Sequence, residues 1–196
     1  MEYPCPCLID DLVHRRGCQG AIERLDPASA KQRIDSAWWH GVPTNRRLQP
    51  DSYDSHWDWN AKCVGQAKDA MTEAVCLTAH GAVQGAMIYL LNAKSVVVPS
   101  MTCVYISYLA SAPWNRIEVA EHPRFSGVGR ALVAHATRHS RLLGLQGRVL
   151  VASIKSKTAL GFYDSLGFLD TGETLGEDRL PFLELSPEMA RVLEGI

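Results

Sequence analysis

The chain has 196 residues, of which 46% are hydrophobic and 21% charged, so it can form a packed core and does not resemble a disordered segment. Its net charge of −1 argues against nucleic acid or an anionic membrane as the main partner. No apolar run approaches the roughly 20 residues that a membrane helix needs, and no basic and apolar leader opens the chain, which predicts a cytoplasmic protein.

The six cysteines are predicted to be free thiols, as expected in a reducing compartment. Cys76 and Cys103 lie in apolar runs and are predicted core residues. Four residues near the start offer zinc ligands: Cys5, Cys7, His14 and Cys18. Their spacing matches no structural zinc motif, and Pro4 and Pro6 indicate a stiff, loosely held terminus, so no metal site is predicted.

Residues 1–74 form a polar and irregular first part. A helix is predicted over Ala28–Trp39, since Asp26 and Pro27 form a typical N-cap and first-turn pair. Proline, asparagine and aspartate predict a loop over 41–56. A second helix is predicted from Trp57 to about Ala70.

The pattern becomes regular from Ala74 onward. The apolar runs Ala74–Ala79 and Val83–Leu91 flank His80-Gly81 and predict a hairpin. Cys103–Ala112 is rich in β-branched and aromatic residues and predicts a buried strand. A loop is predicted from Pro113 to Ser126.

Two helices and two strands complete the predicted elements. Gly127–Leu143 has one apolar face and predicts a helix that ends at Gly144. Gly147–Ser153 predicts a buried strand, and Ser156–Leu166 predicts a helix that stops at Gly167. Leu180–Leu185 predicts a last strand, and Pro181 places it at a sheet edge or at its own strand start.

The turn before the first of these helices carries the clearest chemical signal. Glycines let backbone N–H groups approach an anion, and a helix start adds unpaired donors and a positive dipole end. The turn is therefore predicted to bind a phosphate group through Arg124, Ser126, Gly127, Val128, Gly129 and Arg130. The alternative from these residues alone is a plain structural turn, because glycine-rich turns before helices also serve packing.

A second motif follows at a suitable distance: Ala159, Phe162 and Tyr163, then Leu166-Gly167-Phe168. Together with Arg124, Gly127 and Gly129, it makes the segment Ala74–Leu185 resemble the GNAT superfamily of acetyl-CoA-dependent N-acetyltransferases. The resemblance covers more than half of the chain. It implies one α/β (α+β) domain with a mixed, mostly antiparallel twisted sheet and helices on both faces.

The resemblance also implies a function. Residues 75–196 would form the acetyl-CoA-binding core, and residues 1–74 would contribute to the acceptor site. The expected enzyme is an acyltransferase that moves an acetyl group from acetyl-CoA to a primary amine of a small molecule or protein. The alternative is a non-catalytic module of the same fold that binds coenzyme A or a protein partner, because fold alone does not establish activity.

Specific roles follow from the family pattern. The amides of 127–130 would hold the pyrophosphate. Backbone groups of Leu109, Ala110 and Ser111 would bind pantetheine, unless the relevant strand is instead Ile117–Ala120. Ser156 stands where the family often has an asparagine that binds the pantetheine arm. Tyr163 would protonate the leaving thiolate.

The general base is left open by the sequence. Glu118, Glu121 and His122 in the loop after the corner are candidates, and so is the group Asp51, Asp54, His56 and Asp58. The second group, together with Trp57 and Trp59, could shape a pocket for a cationic amine, or could cap a helix start beside core tryptophans. Asn115 and Arg116 are read as a structural corner, or as contacts to substrate and to a coenzyme phosphate.

The acceptor and the oligomeric state are also left open. No metal, nucleic-acid or membrane partner is predicted, and exposed sheet edges are compatible with a homodimer.

Overall fold

The computed structural model describes residues 1–66 and 68–195, apart from the side chains of Pro50 and Asp51. Within that part of the chain there are nine strands: β1 (Cys5–Asp11), β2 (Arg16–Arg24), β3 (Thr72–Ala79), β4 (Ala82–Lys94), β5 (Thr102–Ser111), β6 (Phe125–Ser126), β7 (Val149–Ala152), β8 (Phe168–Leu175) and β9 (Leu180–Leu185). The α-helices there are α1 (Pro27–Ala30), α2 (Thr44–Arg47), α3 (Trp59–Gln66), α4 (Val128–Leu142), α5 (Lys157–Ser165) and α6 (Pro187–Glu194).

The strands form one sheet in the order β6-β1-β2-β3-β4-β5-β7-β9-β8. Antiparallel pairing joins β1 to β2 and β6, β2 to β3, and β9 to β7 and β8. The pair β5–β7 is parallel, with the register Val104↔Val149 to Ile106↔Val151. A mixed, mostly antiparallel sheet with helices confirms the predicted fold class.

The chain divides into two compact units. The N-terminal unit consists of Glu2–Ile88 and Tyr108–Leu132, and the C-terminal unit consists of Tyr89–Ser107 and Val133–Ile196, with Met1. The predicted division of the sequence near residue 74 stays a prediction.

The prediction of an irregular first part is wrong, because β1 pairs with β2 over the whole length of β1, from Cys5↔Ile22 to Asp11↔Arg16. Only Cys5, Ile9 and Asp11 of β1 are buried, and Leu8 is 72% exposed. Polar and exposed positions therefore interrupt the apolar alternation that reveals a strand in a sequence.

The predicted hairpin is confirmed, since β3 and β4 are neighbours in the sheet and only His80 and Gly81 separate them. Both residues have positive φ, 49° and 74°, as a type I′ turn requires.

The predicted helix over Ala28–Trp39 begins as expected, with the Asp26 carboxylate accepting from Ser29 N. It continues from α1 into a π-helical stretch, Lys31–Asp35. The predicted loop over 41–56 contains α2 and a 3₁₀ segment, Pro50–His56. The second predicted helix is the shorter α3.

These helices supply the core of the N-terminal unit. Trp38 and Trp59 are fully buried and pack edge to face with ring centroids 5.9 Å apart. Trp38 Nε1 donates to the Val83 carbonyl at 3.1 Å. The same core includes Ile34, Cys63, Cys76, Val83, Ala86, Ile88, Ala110 and Ala112.

In the C-terminal unit, the predicted strand and helix are present as β7 and α5. Strand β9 lies between β7 and β8, so Pro181 marks a strand start and not a sheet edge. Strand β8 and helix α6 were not predicted. Among the residues of β8 only Phe168 is buried, so its sequence shows no apolar period.

Candidate active site

The glycine turn lies in the N-terminal unit and leads directly into α4. Gly127 has φ +79°, and a Cβ built there would meet nothing within 4 Å. The helical ladder begins with the bond from Ala131 N to the Gly127 carbonyl at 2.9 Å. The N–H groups of Val128, Gly129 and Arg130 precede that ladder, and glycine at the cap position has no side chain to accept from them. The turn therefore combines an open position at Gly127 with the first amide donors of a helix.

Short strand pairing holds the turn. Strand β6 pairs with β1 through Asp10↔Ser126 and Asp11↔Phe125, and Leu12 N donates to the Arg124 carbonyl at 3.0 Å. Phe125 is buried, and the Ser126 hydroxyl donates to Asp10 Oδ2 at 3.3 Å. The predicted cofactor contact of Ser126 thus competes with an internal hydrogen bond.

Gly85 of β4 sets the position of the first turn of α4, a role that the sequence reasoning missed. A Cβ there would lie 2.5 Å from Val128 Cγ1, 3.0 Å from Leu132 Cδ1 and 3.2 Å from the Ala110 carbonyl. Only glycine permits this approach of helix to strand. A glycine inside a strand pattern is the signal that could have revealed it.

The corner after β5 is structural, in agreement with one of the two predicted roles. Gln84, only 1% exposed, accepts at Oε1 from Trp114 Nε1 (2.9 Å) and Asn115 Nδ2 (3.0 Å). Asn115 Oδ1 accepts from Phe125 N at 3.1 Å, and Arg124 N donates to the Trp114 carbonyl at 3.0 Å. The corner is therefore joined to the glycine turn, and Gln84 was missed as its anchor.

Arg116 pairs with a carboxylate of its own unit. Its guanidinium donates to both oxygens of Asp54, each at 2.6 Å. It also donates to the Ser111 carbonyl, and the distance from Nε to that oxygen is 2.7 Å. Both side chains are largely buried, 12% and 9% exposed. These contacts favour the structural role of Arg116 over the alternative of a coenzyme phosphate contact.

The predicted pantetheine segment is the carboxyl end of β5. Leu109 and Ser111 are half-buried, and the side chain of Ala110 is buried in the core. The segment lies beyond Val104–Ile106, over which β5 pairs with β7. The alternative strand Ile117–Ala120 is wrong, because no strand is found there and Ala120 N donates to the Arg116 carbonyl at 2.8 Å.

The three loop candidates for the general base lie in the N-terminal unit, after the corner. Glu121 and His122 are exposed and Glu118 is half-buried, and the Glu118 carbonyl accepts from Arg46 Nη1 at 3.0 Å. Their catalytic role stays a prediction.

The second group of candidates has mainly structural contacts. Asp54 pairs with Arg116, and His56 packs edge to face on Tyr53. Asp58 caps α3 by accepting from Ala61 N at 2.7 Å, a bond that lowers the pKa of the Asp58 carboxyl. The side chain of Asp51 lies outside the described part of the structure.

Tyr163 lies in α5 of the C-terminal unit. It is 7% exposed, with its ring 5.0 Å from Phe162 and 5.3 Å from Phe168. Burial, and secondarily the nearby Tyr105, raises the pKa of the Tyr163 phenol well above its usual value. A tyrosine phenol keeps its proton at neutral pH even without this shift, so Tyr163 is available as a proton donor, and the raised pKa makes it a weaker acid.

Ser156 is the N-cap of the same helix. Its Oγ accepts from Ala159 N at 3.0 Å, which leaves the hydroxyl proton to donate to another group. The predicted pantetheine contact at Ser156 is thus limited to one donated hydrogen bond, and it stays a prediction.

The early cysteines have other contacts. Cys5 Sγ donates to the Glu2 carbonyl, His14 Nδ1 lies 2.8 Å from Asp11 Oδ2, and Cys18 Sγ lies 3.4 Å from His80 Nε2. Within residues 1–66 and 68–195, no group of three or more His, Cys, Asp or Glu side chains is placed to hold a metal ion.

The core prediction for Cys76 and Cys103 is confirmed, since both are fully buried and burial raises the pKa of each thiol to about 12.

No helix in the described part of the chain combines the length and apolar character that crossing a membrane demands.

Solved structures match most of the chain. A mutant of the AtaT toxin, bound to the C-terminus of the antitoxin AtaR and to acetyl-CoA, matches with a TM-score of 0.56 and 17% identity over 90% of this chain and 99% of that chain. A GNAT-family protein from Desulfovibrio desulfuricans matches with a TM-score of 0.53 and 18% identity over 86% and 99%. The chain has the GNAT fold.

An acetyltransferase from Thermus thermophilus matches the same GNAT architecture, with a TM-score of 0.58 and 15% identity over 85% of this chain and 96% of that chain. Neither a protein-family model nor a curated protein matches the sequence. At these identities the likeness shows the GNAT fold and leaves the activity of this chain to its own residues.

Proposed function

We propose that the chain is an N-acetyltransferase that uses acetyl-CoA and a primary amine. The observation that carries the proposal is the glycine turn: Gly127, with φ +79° and no atom within 4 Å of its Cβ position, directly precedes the first amides of α4. A diphosphate is the anion that such a helix start suits. The acetyl-CoA bound to the AtaT structure, which shares the fold, supports this choice of ligand.

The residues of the turn fit a coenzyme A pyrophosphate. The amides of Val128, Gly129 and Arg130 would hold it, and the exposed Arg124 and Arg130 would add positive charge. Leu109–Ser111 would offer backbone groups to the pantetheine arm. The Ser111 carbonyl already accepts from Arg116, so we assign the main contacts to Leu109 and Ala110.

Acetyl-CoA supplies the acetyl group as a thioester. In the transfer, the amine nitrogen bonds to the acetyl carbon, the carbon–sulfur bond breaks, and the nitrogen, which starts as an ammonium, loses two protons. A base takes the first of them, and Glu118, His122 or a water molecule are the candidates. We assign the proton that joins the sulfur to the buried phenol of Tyr163, which then recovers a proton from the second one that leaves the nitrogen.

The test is the release of coenzyme A when the purified protein meets acetyl-CoA and a panel of amines, followed by chromatography. Tyr163→Phe should lower kcat by about 10²-fold or more while the Kd for acetyl-CoA stays the same. Absence of acetyl-CoA binding would overturn the proposal. Binding without turnover on any amine would replace the enzyme with the non-catalytic coenzyme-binding module.

A further inference from the structure

A row of four aromatic rings runs outward from the core of the N-terminal unit. Trp38 and Trp59 are buried at its inner end. Trp57 follows, 5.7 Å from Trp59, and Tyr108 ends the row, 5.1 Å from Trp57. Trp57 and Tyr108 are only half-buried, so this outer pair keeps ring surface that the core does not cover.

The outer pair already binds an ammonium group of the chain itself. Lys62 Nζ lies 3.7 Å from the centroid of the Tyr108 ring and 4.8 Å from that of Trp57. Both distances are within the roughly 6 Å over which an aromatic face attracts a cation. The two rings stand at 80°, so one cation can lie against both of them.

Helix α3 carries Lys62, and its start is held from two directions. Asp58 Oδ1 accepts from Ala61 N, and the Asp35 carboxylate accepts from Trp59 N at 2.8 Å and from Asn60 N at 3.1 Å. Trp57 and Lys62 therefore flank a fixed helix start. Only the flexible alkyl chain of Lys62 must move for its ammonium to leave the rings.

The position of Tyr108 connects the pair with the proposed activity. Tyr108 directly precedes Leu109 in β5, where the pantetheine arm is assigned above. Two carboxylates near this strand end or beside Trp57 have partners within the chain: Asp54 is paired with Arg116, and Asp58 accepts from Ala61 N. Recognition of an amine at Tyr108 would therefore rest mainly on the two aromatic faces.

We propose that Trp57 and Tyr108 bind the acceptor amine as its ammonium ion, and that Lys62 occupies this place as an internal competitor. The acceptor class is a primary ammonium at the end of a flexible alkyl chain, as in the side chain of Lys62 itself. That the bound amine is the acetyl acceptor rests on the proposed function. The binding of an alkylammonium at these rings does not require turnover.

The first experiment measures binding without an acetyl donor, using n-pentylammonium as the probe and 1-pentanol as its neutral counterpart. Titration calorimetry should show that Lys62→Met tightens binding of the ammonium about tenfold, because the internal competitor is gone. Lys62→Arg keeps a cation on the rings and should bind like the wild type. Lys68→Met removes an exposed lysine charge elsewhere and should also bind like the wild type.

Adding Trp57→Leu to Lys62→Met should abolish the gain, with circular dichroism confirming the fold. Tyr108→Leu in the same background provides an independent second variant if the first does not fold. Equal affinity of Lys62→Met and wild type for n-pentylammonium would overturn the proposal. So would equal binding of 1-pentanol, or retention of the tightened binding without either ring.

Turnover then separates the two claims. With acetyl-CoA present, Lys62→Met should lower the KM for spermidine or for Nα-acetyl-lysine amide. The substrate whose KM falls shows whether the acceptor is a polyamine or a lysine side chain. The KM for acetyl-CoA should stay unchanged. If no amine turns over but the binding pattern above holds, the proposed enzyme fails while the aromatic ammonium site stands.

Discussion

Helices α4 and α5 begin in different ways, and the difference shows which of them is suited to an anion. The N-cap position of α4 is Gly127, which has no side chain, whereas that of α5 is Ser156, whose hydroxyl accepts from Ala159 N. A serine cap satisfies one of the free amides of its helix, and a glycine cap leaves them to a ligand. The residue type at the N-cap position thus decides whether the first amides of each helix are satisfied within the chain.

The largest effect on acetyl-CoA binding should come from Gly127→Ala. Alanine at φ +79° costs about 1–2 kcal/mol and adds a Cβ directly before the first amides of α4. We expect the Kd for acetyl-CoA, measured by calorimetry, to rise at least tenfold.

Gly144→Ala is the matched control for this change, since Gly144 has φ +77° and an equally open Cβ position. It should lose similar stability in thermal unfolding and keep its affinity. If both variants bind acetyl-CoA equally well, the turn does not hold the pyrophosphate.

Gly85→Ala should have the next largest effect, because its Cβ would lie 2.5 Å from Val128 Cγ1 and push on the first turn of α4. We expect a loss of about 1–3 kcal/mol in urea unfolding together with weaker acetyl-CoA binding. The double variant Gly85→Ala with Val128→Ala should recover part of both. No recovery would show that the contact with Val128 is not the cause.

Ser156→Ala should cost about 1 kcal/mol of stability through the lost cap, as should Ser186→Ala at the start of α6. If the Ser156 hydroxyl also donates to the cofactor, only Ser156→Ala will raise the Kd for acetyl-CoA. Identical Kd values for the two variants would remove Ser156 from the binding site.

The smallest effect concerns alkaline pH. Burial raises the pKa of Tyr163, so above pH about 10 the unfolded chain loses this proton before the folded one does. Stability should therefore fall as the pH rises past about 10, and less steeply in Tyr163→Phe. The buried thiols of Cys63, Cys76 and Cys103 have raised pKa values as well and should contribute equally in both proteins. If the stability of the wild type and that of Tyr163→Phe fall equally with rising pH, the pKa of Tyr163 is not raised by burial.

The sequence predicted the elements that show an apolar run or an apolar face. Strand β5 and the β3–β4 hairpin with its His80-Gly81 turn are apolar runs, helix α4 has one apolar face, and helix α5 lies between Ser156 and Gly167. Strand β8 was missed because most of its residues are exposed, and β1 was missed because its residue types do not follow burial: Leu8 is exposed and Asp11 is buried. Helix α6 was missed although Ser186-Pro187 is a good helix start and Gly195, with φ 75°, a good helix end.

The candidate site divides along a similar line. The glycine turn could be predicted because its backbone conformation favours glycine. The partners of Gln84, Arg116 and Asp54 could not be predicted, because the paired side chains are distant in sequence. Gln84 and Trp114 are 30 residues apart, and Arg116 and Asp54 are 62 residues apart. The contact of Lys62 with Tyr108 could not be predicted for the same reason, and the sequence analysis named only Trp57 as a ring that could bind a cation.

The hydrogen bond from Arg124 N to the Trp114 carbonyl closes residues 114–124 into a loop with a fixed base. Because this hydrogen bond fixes the two ends of the loop, the number of residues between them can change without moving those ends. Lengthening such a loop costs little free energy, since the closure entropy grows only with the logarithm of its length. The stretch around Glu121 and His122, both exposed, is therefore a natural position for grafting a foreign peptide. Such a graft would give a chain with altered surface recognition and an undisturbed start of α4.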